Sequence, residues 1–258
     1  SCTSLTEITI PDSVTNIEGF VFTDTPWLTA KQEENPLVIL NGTLIDGTTC
    51  TGSVTIPDGV TSIAGGAFDS CTGLTAIAIP KSVTSIGDSA FYRCTSLTEI
   101  TIPDSVTSMG DYVFDGCTGL TKVTMPDSIT SISDYAFRSC TGLTEVTIPD
   151  SVTSIGDYAF RDSTGLTKIV IPDSVTSIGD GTFYGCTGLT EITIPDGATS
   201  VGFQTFSGCT SLKKITIPDS VTSIENNAFY GCASLTEIVI PDGVTKIYSG
   251  AFYKCTSL

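Results

Sequence analysis

The chain has 258 residues, with 28 acidic side chains against 11 basic ones, a net charge of −17 and no histidine. Such a surface repels nucleic acid and anionic lipid, and without histidine no Ser-His, Cys-His or His-metal centre can form within this chain. No run of about 18 apolar residues occurs, so no segment reads as inserted in a membrane.

The chain opens on Ser1-Cys2-Thr3-Ser4-Leu5 and closes on Cys255-Thr256-Ser257-Leu258. Both ends cut the same motif, so the chain reads as a fragment of a longer array. Pro11 and Pro57 stand two periods apart, but residues 23–50 between them depart from the pattern. Pro26-Trp27-Leu28 followed by Lys31-Gln32-Glu33-Glu34 predicts a short helix around residues 26–34. Two apolar runs flanking Asn41-Gly42 predict a hairpin around residues 37–46, because Asn-Gly suits the tight turn joining twisted strands. The segment is either an irregularity of the array or a protruding recognition feature that carries Trp27, the only tryptophan.

From there the text repeats. Leu74, Leu97, Leu120, Leu143, Leu166, Leu189, Leu212, Leu235 and Leu258 keep one spacing, and the column from Phe68 to Phe252 keeps the same one, 23 residues. In Leu97-Thr98-Glu99-Ile100-Thr101-Ile102 the alternation predicts a strand. Pro103-Asp104-Ser105 ends it with turn chemistry. Val106-Thr107-Ser108-Met109 is a second extended stretch, broken by Gly110-Asp111. Val113, Phe114 and Cys117 then roll the chain over, read here as one tight helical turn. One such coil cannot bury its apolar face alone, whereas stacked coils bury it continuously. The prediction is a single repeat solenoid over residues 1–258: about eleven coils, stacked parallel strands about 4.8 Å apart, and an arc about 50 Å long.

The run L-x-x-I-x-I-P-x-x-V-x-x-I-G-x-x-A-F-x-x-C-x-x-L resembles the BspA-like class of leucine-rich repeats, over nearly the whole chain. Trp27 to Thr51 resembles a variant module of such arrays. The resemblance implies a curved solenoid from a bacterial surface or secreted protein, with roles such as adhesion to host matrix proteins or to other cells. It supplies no catalytic residues.

Equivalent residues of successive coils lie side by side, so chemistry is read down columns. Cys71, Cys94, Cys117, Cys140, Cys186, Cys209 and Cys232 form one column, with Ser163 standing in once and Cys50 off register. One Cys per coil with two equal neighbours suits small buried thiols better than disulfides between coils. The set lacks His and C-x-x-C, so it does not suit zinc. Glu99, Lys122, Glu145, Lys168, Glu191, Lys214 and Glu237 alternate in sign, a register device beside a threonine face that could also hydrogen-bond a glycan. Asp104, Asp127, Asp150 and Asp173 follow the repeat proline. They either cap their own turns or share weakly bound calcium between coils. Asp88, Asp111, Asp134, Asp157 and Asp180 add a second acidic set.

Tyr112, Tyr135 and Tyr158 occupy one column in three consecutive coils, with Arg138 and Arg161 close by and Tyr92, Tyr184, Tyr230 and Tyr253 in a second column. Tyrosine and arginine are favoured at binding hot spots, although stacked tyrosines also cover core edges. The expected function is a non-catalytic binding or adhesion module, monomeric, needing no cofactor and recognising a protein or glycan. The competing reading is a structural spacer that presents another domain, with calcium at the Asp column as a possible addition.

Overall fold

The computed structural model describes residues 2–14 and 16–258. Each repeat is a three-sided coil, and the coil from Leu143 is representative. Glu145–Thr147 is its first strand, with Val146 buried between exposed Glu145 and Thr147. Pro149-Asp150-Ser151 turns the chain, closed by the Val152 N–H donating to the Pro149 carbonyl at 3.1 Å. Ser154–Ile155 is the second strand, with Ile155 buried. Both strands pair in parallel with the next coil, Val146 opposite Ile169 and Ile155 opposite Ile178.

The third side is where the expectation of a helical turn fails. Tyr112, Tyr135 and Tyr158 have φ of 57°, 55° and 54°, the left-handed region, which a right-handed helical turn cannot contain. Alternate N–H groups instead donate forward to the next coil: Tyr112 to Asp134 O at 2.9 Å, Phe114 to Ala136 O at 2.9 Å and Gly116 to Arg138 O at 2.8 Å. The intervening groups close local turns, Asp115 to Tyr112 O and Cys117 to Phe114 O, each 3.1 Å. A helix would spend these donors within itself. Spending them between coils makes the third side a wall of the stack.

The core is one continuous spine. Phe68 through Phe229 are fully buried, and each ring from Phe68 to Phe252 lies on the next with centroids 5.2–5.6 Å apart. The regular coils number about nine rather than eleven, because the chain spends residues 23–50 differently. Helix α1 (Pro26–Glu34) starts at Thr25, whose hydroxyl accepts the Leu28 N–H at 3.2 Å. Strands β1 (Val38–Leu40) and β2 (Thr43–Asp46) form an antiparallel hairpin, and Asn41 in its turn has φ 47°. Strand β2 pairs in parallel with β3 (Ser62–Ile63) and so stands in for the second strand of a missing coil. Under this module, Trp27 packs on Phe22 with centroids 4.7 Å apart, in a small core with Ile17, Leu28, Val38, Ile45 and Ala64.

The two strand walls are not continuous. Between coils 97–119 and 120–142 the second-strand wall opens while the first stays paired; between 120–142 and 143–165 the reverse holds. Only between 166–188 and 189–211 do both open together among the described residues: Lys168–Val170 is unpaired with Glu191–Thr193, and Ser177–Ile178 with Ser200–Val201. Ser105, Ser128, Ser174 and Ser220 each donate a hydroxyl to a carbonyl of the preceding coil, at 2.5–2.8 Å. At the seam that position is Gly197, but Gly59 and Gly243 hold it beside paired walls, so it does not by itself open them.

Candidate functional site

The tyrosine column comes together as a patch on the third side. Tyr112 and Tyr135 stack at 4.6 Å with an interplanar angle of 5°, and Tyr135 and Tyr158 at 5.2 Å and 16°. The Arg138 guanidinium lies 5.7 Å from the Tyr112 centroid and 5.3 Å from that of Tyr135. That of Arg161 lies 5.5 Å from Tyr158 and 4.9 Å from Tyr184. All of these side chains are half-buried, so rings and guanidinium groups present their edges to solvent. Burial raises the Tyr112 and Tyr158 phenols above their ordinary value, with a further push from Tyr135, so the patch carries hydroxyls rather than phenolates.

Arg138 is anchored from below. Its Nη2 lies 2.6 Å from Asp115 Oδ2, and its Nε donates to Asp115 Oδ1 at 3.0 Å. Asp115 is almost wholly buried, which pushes its carboxyl up while Arg138 pulls it down; the same bond raises the Arg138 value. Arg161 Nε donates to its neighbour Asp162 at 3.1 Å. Sequence reasoning did not single out Asp115. It also missed the left-handed backbone of the tyrosine column, although the column elsewhere holds Gly66, Ser89, Gly181, Asn227 and Gly250. That composition is the signature of a position with positive φ.

Trp27 belongs to none of this. It is 6 % exposed and sits in the core of the irregular module, because its ring covers Phe22 rather than projecting. Asp104, Asp127, Asp150 and Asp173 are all exposed. Among the described residues no three Asp, Glu or Cys side chains gather closely enough to hold a metal ion, so the calcium expectation finds no support in the geometry. The second acidic set is a ladder. Asp111, Asp134, Asp157 and Asp180 carboxylates each accept the N–H of the equivalent residue one coil on, at 2.7–3.2 Å, ending at Phe203.

The other two columns are also ladders. Cys94, Cys117, Cys140, Cys186, Cys209 and Cys232 each donate S–H to the carbonyl of a Phe in the preceding coil, at 3.0–3.1 Å, and Ser163 donates to Phe137 O at 2.7 Å. Cys71 donates to Cys50 O at 3.0 Å. All cysteines are free thiols. Glu99 faces Lys122, Glu145 faces Lys168 and Glu191 faces Lys214. Only Lys168 and Glu145 approach within ion-pair range, at 3.7 Å with both side chains about 60 % exposed. Long solvated side chains gain little from closing such a pair, so the column contributes less than its alternation suggests.

No helix among the described residues is long and apolar enough to cross a membrane. No curated protein matches the sequence. Several solved structures do. A leucine-rich cell-surface protein from Faecalibacterium prausnitzii is 31 % identical over 100 % of this chain and 72 % of its own, with a TM-score of 0.57. A leucine-rich repeat protein from T. pallidum is 29 % identical over 71 % of this chain and 77 % of its own, at 0.54. The pneumococcal vaccine antigen PcpA is 25 % identical over 76 % of this chain and 57 % of its own, at 0.56. The sequence pattern of the BspA type leucine rich repeat region fits in six copies, over residues 1–41, 46–167 and 155–258. With the Cys-to-Phe link and the phenylalanine spine repeating at that same period, the chain belongs to the BspA-type leucine-rich repeat family.

Proposed function

We propose that this chain is a non-catalytic binding module of a bacterial surface or secreted protein, and that it recognises a protein or glycan through the face of Tyr112, Tyr135, Tyr158, Arg138 and Arg161. The observation that carries this reading is the cost of the tyrosines. A side chain other than Gly or Asn in the left-handed region is disfavoured by about 1–2 kcal/mol. Other coils avoid much of that cost with Gly66, Gly181, Asn227 or Gly250 at the same position, while Ser89 and Gln204 bear it too. Strained residues that could have been cheaper are a reason to look for function. The cell-surface description of the F. prausnitzii relative supports the setting.

The test replaces all three tyrosines by asparagine, which tolerates the same backbone, as Asn227 does with φ 56°. Wild type and variant are screened against matrix proteins, mucins and glycans. Binding by the wild type that falls at least about tenfold in a folded variant is the expected result. Equal binding by both would remove this face from the function.

One observation favours the spacer instead. Arg138 is already committed to Asp115, and the tyrosine rings cover one another. On that reading no ligand is found and the triple variant loses stability only.

A further inference from the structure

A second site lies apart from the tyrosine face, where α1 and β2 meet the turn at residues 18–24. A cavity of about 370 Å³ opens there. Its lining includes Glu18, Asp24, Asp46 and Asp69, and no lysine or arginine. Its apolar wall is Phe20 and Val21, which are 55 % and 56 % exposed, among the most exposed large apolar side chains described. Phe20 has φ 63° and stands two periods before Gly66, in the register of Tyr112. Its ring lies across Gly66, where any side chain would collide with it. The ring is thus held at the cavity mouth by a strained backbone and a glycine that makes room.

Asp46 is the independent observation. It is 8 % exposed, yet its only partners are neutral: Gln32 Nε2 at 2.9 Å, the Thr48 N–H at 3.2 Å and the Thr48 hydroxyl at 3.1 Å. The nearby Lys31 is turned to Glu34, 2.7 Å away. A buried carboxylate normally has a cation against it, since neutral donors replace only part of its hydration. A bare metal ion does not fit, because no three acidic groups converge and an ion has no use for an aromatic wall. A neutral sugar would leave the carboxylate uncompensated.

We infer that this cavity takes the ammonium or guanidinium end of a lysine or arginine side chain from a basic polypeptide partner. Asp46 supplies the direct counter-charge, Asp24 and Glu18 add a longer-range negative field from the lining, and Phe20 and Val21 flank the aliphatic stem, since a cation and an aromatic face attract. The net charge of −17 draws such a partner in from a distance.

Calorimetric titration with hexalysine, and with its fully acetylated form as control, tests this. Hexalysine binds saturably and the acetylated peptide does not. Phe20→Ala weakens binding about tenfold without changing the net charge. Asp24→Asn weakens it, while Asp104→Asn, an equal charge change on a distant turn, leaves it within about twofold. Should Phe20→Ala loosen the module, the matched pair Asp24→Asn and Asp104→Asn still decides. The triple Tyr→Asn protein keeps full affinity, which separates this site from the tyrosine face. Absence of binding, equal binding by Phe20→Ala, or equal losses for Asp24→Asn and Asp104→Asn would each overturn the inference.

Discussion

The cysteine column is a chain of thiol-to-carbonyl bonds, each joining one coil to the coil before it. Burial pushes the Cys71 thiol up to about 11 and the Cys232 thiol up to about 12, and it raises Cys186 and Cys209 as well. An unfolded thiol titrates near about 8.5. A folded value raised above the unfolded one gives stability that is complete below the unfolded value and is lost as pH climbs through the folded one. The solenoid therefore loses stability from about pH 8.5 to about pH 12 as the unfolded state sheds thiol protons first. Ser163 shows that a hydroxyl makes the same link, to Phe137 O at 2.7 Å. Cys186→Ser with Cys209→Ser should flatten that alkaline loss. Urea midpoints at neutral pH and at about pH 10.5 measure it; equal losses in variant and wild type would contradict the account. The thiols were legible as small buried groups from their one-per-coil spacing. Their acceptors were not, because no pattern of letters says which carbonyl of a neighbouring coil lies beneath a side chain. Asp115 escaped for a similar reason. It shares its column with Asp69 among tyrosines and arginines, and such an acid reads as solvated until its contact with Arg138 is seen.

At the scale of the element, α1 and the β1–β2 hairpin were written in local signals. Thr25-Pro26 opens the helix, Pro at its first position and Thr as its cap, and Asn41-Gly42 occupies the turn. What those signals do not encode is which way Trp27 faces. It faces inward and is the largest side chain of the small core. Trp27→Ala should therefore cost about 3–5 kcal/mol locally. Hydrogen exchange should report lost protection in residues 23–50 while coils beyond residue 74 keep theirs, as expected where stability is a nearest-neighbour sum. Uniform loss along the whole chain would show that the module and the array unfold as one. The roll-over segment, read from Val113, Phe114 and Cys117 as a helical turn, went wrong because a compact apolar cluster fits either a helix or a string of turns. Gly and Asn recurring in the tyrosine column carried the deciding signal.

For the whole molecule, the period alone determines the stack, the parallel register and the phenylalanine spine. It does not determine where the stack is weakest, since every coil reads almost alike. Between coils 166–188 and 189–211 the third-side ladder continues, with Gly181 N–H to Phe203 O at 2.8 Å and Phe183 N–H to Thr205 O at 2.9 Å. The strand walls contribute only the Thr190 N–H and hydroxyl, both donating to Thr167 O at 3.5 and 3.4 Å. Ile194 N–H donates to Thr216 O at 3.0 Å, whereas Ile171, the same position one coil earlier, makes no such bond across the seam, so the Ile171 amide should exchange faster than that of Ile194. Equal protection would mean the walls close in solution.

Tension along a stack is the same at every joint, so a pulled solenoid parts where the fewest bonds share the load. Among the regular coils from Leu74 onward that joint lies beyond Tyr184, downstream of every member of the tyrosine and arginine patch. A stretched chain would yield at that joint and hinge open there, while the whole patch stays intact on the longer of its two pieces.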